Sequence, residues 1–168
     1  MLAMYDATIS PLKRALTNLA AILKKGEAYA EAKKFEPSVL FNARLFPDMY
    51  PLSRQVQIAT DMSKGAAARL AGLAVPTYED NEASFADLHA RIAKTIAFID
   101  SITPAQMQGS EARDISITVR NTELKFKGQA YLLAWVLPNV HFHVTTAYNI
   151  LRHNGVELGK PDFLGPRD

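Results

Sequence analysis

Leu52-Ser53-Arg54-Gln55-Val56-Gln57-Ile58-Ala59-Thr60-Asp61-Met62-Ser63-Lys64-Gly65-Ala66-Ala67-Ala68-Arg69-Leu70-Ala71, closed by Gly72, is the stretch that decides the fold. Leu52, Val56, Ala59, Ser63, Ala66, Leu70 and Leu73 follow alternating steps of four and three, the spacing of a helix-packing seam. Pro51 before it and Gly72 after it bound a helix over about 51–71. The seam is small at its centre. Small residues let a neighbouring helix approach closely, or leave room for a ligand.

Helical patterns of similar length lie on both sides. Upstream, Leu12, Leu16, Leu19 and Leu23 recur at threes and fours with Ile22 alongside, which predicts a helix over about Tyr5 to Ala28. Pro11 within it is either a first-turn residue, with Ser10 as cap, or a kink. Glu27 to Lys34 reads as a short second helical piece. Phe35 to Tyr50, punctuated by Pro37 and Pro47, reads as an ordered connection packed over one end of the domain. Downstream of a loop at Ala74 to Asn81, a third helix runs from Ser84 to Ser101. Its stripe is Phe85, Leu88, Ile92, Ile96 and Ile99, and Ser84 with Asp87 forms a capping pair. Thr103-Pro104 starts one further turn. A fourth helix has two possible starts, a run opening at Gly128 and reaching Val136 that Pro138 kinks, or a restart at Pro138, and it continues to about His153 with Asn154-Gly155 as its stop. The tail from Val156 reads as an irregular strap anchored by Phe163 and Leu164.

One strand signal stands between the third and fourth helices. Ile115, Ile117 and Val119 alternate with polar residues, as do Leu124 and Phe126. An Asn121-Thr122 loop would pair Arg120 with Glu123, Val119 with Leu124 and Ile117 with Phe126. The expected fold is therefore all-α: a four-helix bundle in a single domain, with a small β-hairpin between helices three and four.

Composition narrows the chemistry. The 168 residues include no cysteine, so disulfides, thiolate zinc sites, iron–sulfur clusters and a cysteine nucleophile are excluded. A formal charge of +2 without a Lys/Arg block does not point to nucleic acid. The longest run free of charged residues, Gly128 to Leu151, carries Gln129, Pro138, Asn139, His141, His143 and Asn149, which argues against a membrane span. The first residues lack a basic start and apolar core, so no secretory leader is expected, and a cytoplasmic protein is the simplest reading. Phosphate-cradling loops and nucleophile elbows are absent from the sequence.

Candidate site residues are few. A helical layout turns His143 inward with Val136, Val140, Ala147 and Ile150, and places Asn139 on the same face. Two readings follow: a core histidine satisfied by its neighbours, or a ligand or general base in an internal pocket. His141 faces away, His153 sits near the helix end, and His89 flanks the third helix's stripe. The positions four residues either side of His143 are Asn139 and Ala147, so no His-x-x-x-His pair exists. A mixed site would need Asp48, Asp61 or a glutamine of the second helix. Gln55, Gln57 and Asp61 form either a solvated face or the rim of a pocket, with Tyr148 and Trp135 as aromatic walls.

Three stretches carry a resemblance: Phe142-His143-Val144-Thr145-Thr146-Ala147-Tyr148-Asn149-Ile150-Leu151-Arg152-His153-Asn154-Gly155-Val156, Gly159-Lys160-Pro161-Asp162-Phe163-Leu164-Gly165, and Pro47-Asp48-Met49-Tyr50-Pro51-Leu52-Ser53-Arg54-Gln55-Val56-Gln57. They resemble an uncharacterised bacterial family of the DinB/YfiT-like superfamily. The resemblance implies an up-down-down-up bundle, often a homodimer. In many members three histidines hold a divalent metal, one from the second helix and two from a His-x-x-x-His on the fourth. Only His143 matches a position of that type here. The expectation is thus a binding protein with a small-molecule ligand in an interior pocket and no cofactor. The alternatives are a zinc- or nickel-dependent transferase or hydrolase centred on His143, supported by Asp48 or Asp61, and a purely structural homodimer subunit.

Overall fold

The structure, a computed structural model, describes residues 3–166. Four long helices form the bundle: α1 (Met4–Lys33), α3 (Leu52–Ala71), α4 (Phe85–Asp100) and α6 (Leu137–His153). Around the bundle α1 contacts α4 and α6, and α3 closes the ring against both, with its most extensive packing on α6. The small centre of the α3 seam explains that preference. Ala59, Ser63, Ala66 and Ala67 are buried there and let the two backbones come close. Leu12, Leu16, Leu19, Ile22 and Leu23 of α1 are fully buried, each contributing about 1.5–3 kcal/mol by leaving water. Among the described residues no helix is long and apolar enough to cross a membrane.

The helix ends follow their local chemistry. Gly72 closes α3 with a left-handed φ of 72°. The Ser84 hydroxyl accepts from the Asp87 amide, and Asp87 in return accepts from the Ala83 amide. The third and fourth bundle helices are joined through two short 3₁₀ turns (Pro104–Met107 and Ser110–Ala112) and the hairpin β1 (Asp114–Val119) and β2 (Thr122–Lys127). Arg113, at the base of the hairpin, donates to the Leu70 carbonyl at 2.6 Å and so satisfies the C-terminal end of α3.

Four expectations are corrected. Residues 27–33 continue α1 and are not a separate piece. Pro11 lies well inside α1, so Ser10 is not its cap. The hairpin loop is Arg120-Asn121, and the register pairs Ile117 with Leu124 and Ile115 with Phe126. This register sets Asp114 opposite Lys127, with an ion pair of 2.7 Å. Its tight turn takes positive φ at both Arg120 and Asn121. The tail is not wholly irregular: α7 (Lys160–Leu164) lies on α1, with Leu164 42% exposed. Phe163 packs against the core as expected, and polar contacts add to the hold, from Asn18 to the Phe163 carbonyl and from Arg14 to the Leu164 carbonyl, both at 2.9 Å. In the connection 34–51, which includes α2 (Ser38–Phe41), Leu40 and Phe41 are buried while Phe46 is 64% exposed.

The fourth bundle helix enters through α5 (Gly128–Ala130) and a wide π-helical turn at Tyr131–Val136. Pro138 explains the widening. It has no N–H to give, and its ring would press on the carbonyl four residues earlier. The wide turn brings Tyr131 and Trp135 toward the hairpin, where each ring lies 5.9 Å from Phe126.

Candidate functional site

The tight α3–α6 packing brings Gln55 and His143 together, although they are 88 residues apart. His143 Nδ1 is 2.7 Å from Gln55 Oε1, and Gln55 Nε2 donates to the Tyr50 carbonyl at 3.0 Å. Because the amide nitrogen faces a carbonyl, its oxygen must face the ring. His143 is therefore protonated on Nδ1, which leaves the Nε2 lone pair free. The ring is buried, and burial, aided by the nearby Arg54 charge, lowers its pKa from 6.5 to about 4. The imidazole is neutral at neutral pH.

A pH dependence follows. Between pH 6.5 and about 4 the unfolded chain takes up a proton at this position and the folded chain does not. Stability therefore falls as pH drops through that window. Urea unfolding should show the wild type losing on the order of 2 kcal/mol more than His143→Gln between pH 6.5 and 4.5. Equal losses would sink the assignment.

The other sequence candidates are dispersed. Asn139, one turn before His143 on α6, donates to the Trp135 carbonyl of its own helix at 2.6 Å, and His143 takes Gln55 as its partner instead. Asp48 is exposed in the connection before α3. Tyr148 is half-buried against the core. Gln57 and Asp61 join a charged ring that the sequence reading missed. Its centre is Arg91 on α4, 4% exposed. The guanidinium donates to Thr60 Oγ1 (2.8 Å), the Glu79 carbonyl (2.9 Å), Glu82 Oε1 (2.9 Å) and Asp61 Oδ1 (2.8 Å), and lies 3.1 Å from Asp80. Gln57 bonds the other Glu82 oxygen, and Arg54 connects Gln57 to Asp80. Burial disfavours the Arg91 charge, but the Glu82 hydrogen bond and the surrounding carboxylates outweigh it and raise its pKa. Tyr78 lies over this ring, with Lys64 Nζ and Lys94 Nζ 4.3 and 4.2 Å from its ring centroid. The signal for Arg91 was present: it sits three residues after Leu88 and one before Ile92, on the inward stripe.

A cleft of about 290 Å³ opens where α3, the hairpin and the wide turn meet. Ile58, Met62, Ile117, Val119 and Trp135 form its apolar walls, with Arg54, Asp61, Arg69 and Tyr131 as its polar groups. Arg54, Ile58, Asp61, Met62 and Arg69 are one stripe of α3. Arg69 Nη1 donates to the Tyr131 hydroxyl at 3.0 Å.

The donors around His143 do not fit a three-histidine metal site. Its Nδ1 is taken by a neutral amide, its i−4 and i+4 neighbours are Asn139 and Ala147, and α3 supplies Gln55. Among the described residues no three His, Asp or Glu side chains come together as metal ligands.

Residues 4–164 match a family model described as a domain of unknown function (DUF1993). The chain is also similar to a solved crystal structure of a DinB family member protein from Shewanella denitrificans. The two are 40% identical, the match covers 98% of this chain and 93% of that one, and the TM-score is 0.92. No curated protein matches.

Proposed function

Because the chain belongs to the DUF1993 family of DinB-like domains, whose name carries no activity, we propose from its geometry that it is a small-molecule-binding bundle. The observation that carries this reading is the cleft between α3, the hairpin and the wide turn. Its size, about 290 Å³, is at the lower end of ligand pockets, and its make-up is typical of them: mostly apolar walls with a few convergent polar groups. The π-helical turn supports the reading, since such turns recur at functional sites. His143 serves as a neutral, fixed imidazole at the neighbouring α3–α6 contact.

The test uses Trp135, the one tryptophan of the chain, which lines the cleft. Titration with 1-hexanol should shift its emission along a saturating curve, with half-saturation on the order of millimolar. Ile117→Glu should abolish the saturable part. A linear, non-saturating response in the wild type would overturn the reading.

A further inference from the structure

We propose that this cleft selects a small carboxylate with an apolar body, held by Arg69 and the Tyr131 hydroxyl. The proposal rests on the binding reading above and names its ligand class.

The cleft has a surplus of donors. Arg69 has no carboxylate within ion-pair distance among the described residues, and its one side-chain acceptor is the Tyr131 oxygen. Four of its five N–H groups are thus uncommitted to side chains. The Tyr131 hydroxyl accepts from Arg69, and its own hydrogen has no acceptor among the described residues. Burial raises the Tyr131 pKa, only partly offset by Arg69, so the phenol keeps that hydrogen at neutral pH. Two adjacent groups therefore carry unused donors, and one of them is a cation. A carboxylate satisfies both, by a forked pair of bonds to the guanidinium and one bond from the phenol.

The other charges at the cleft do not oppose this. Asp61 is held by Lys64 and by Arg91. Arg54 is paired with Asp80. In the same cleft, Met62, Ile117, Val119 and Trp135 offer surface for a short hydrocarbon or ring.

Arg69 lies in the last turn of α3, where a basic side chain ordinarily serves the helix carbonyls. Here it does not reach for them. Its guanidinium folds back over Gly65, one turn earlier, where an added Cβ would lie 2.5 Å from Nη1. Gly65 is the bare floor that lets the guanidinium enter the cleft.

The experiment compares hexanoate, 1-hexanol and hexylamine by Trp135 emission at pH 7 and constant ionic strength. Hexanoate should half-saturate at a concentration at least about tenfold lower than 1-hexanol, as expected for charge-assisted bonds, and hexylamine should not saturate. Arg69→Met should bring the half-saturation concentrations of hexanoate and 1-hexanol together. Gly65→Ala should weaken hexanoate by displacing the guanidinium, with the far-UV circular dichroism unchanged. Equal affinity for hexanoate and 1-hexanol, or a preference that survives Arg69→Met, overturns the carboxylate assignment and leaves the cleft reading standing. Saturation by none of the three overturns both.

Discussion

Arg91→Met unfolds about 3–5 kcal/mol more easily than the wild type in urea at pH 7. Methionine fills much of the same volume, so the loss is electrostatic rather than a cavity. What it removes is the hub of a ring: Arg54 to Asp80, Asp80 to Arg91, Arg91 to Glu82, Glu82 to Gln57, and Gln57 back to Arg54. The Glu82 side chain is only 9% exposed and would keep its charge with an amide as its remaining side-chain partner. Removing one partner of a buried ion pair costs far more than the pair contributed, because the other charge stays desolvated. The ring also ties residues 79–82 to α3 and α4, so that segment should lose its protection from amide exchange in the variant. A deficit under 1 kcal/mol would mean that water replaces the guanidinium cheaply.

Gly128→Ala destabilises by about 3 kcal/mol, for a different reason. A Cβ at this position would lie 1.8 Å from the Ser110 carbonyl oxygen and 3.1 Å from Leu70 Cδ2. The obstacle is backbone, and it cannot swing aside. Ser110 O accepts from the Arg113 amide, and the Gly128 amide donates to the Arg113 carbonyl at 2.9 Å. Residues 110–113 and the start of the fourth helix must therefore separate together. Gly65→Ala presents the contrast. It also makes a short contact, but with the end of a flexible side chain, and helix propensity favours alanine by up to about 1 kcal/mol. Urea unfolding of the two variants side by side checks the distinction. Comparable stability would contradict the close approach at Gly128.

The parts legible in the sequence were those decided locally. Helix ends marked by Gly72, by Ser84 with Asp87, and by Gly155 fall where their caps require. The inward face of His143 followed from periodicity alone. The hairpin register did not. Its apolar alternation has period two, so a slip of two residues leaves the same side chains on the same face. The choice fell to the Arg120-Asn121 turn and the Asp114–Lys127 pair. Partners distant in sequence were the least accessible. A glutamine of the second helix was legible as a candidate partner of His143, but which one was not, and Asn139 had a carbonyl of its own helix to satisfy it. Arg69 looked like an ordinary helix-end cation, and only the bare Gly65 surface reveals where it goes.

The wide turn at Tyr131–Val136 bears on how this chain is aligned with its relatives. An i→i+5 turn holds one residue more than an α-turn, and one residue rotates all that follows by about 100°. Against a relative whose helix runs through without interruption, an ungapped alignment would set position 142 opposite the inward-facing site. The exposed Phe142 would then stand where His143 belongs. A single-position gap inside 131–136 restores the phase. Counting histidines across the family has meaning only after that gap is placed.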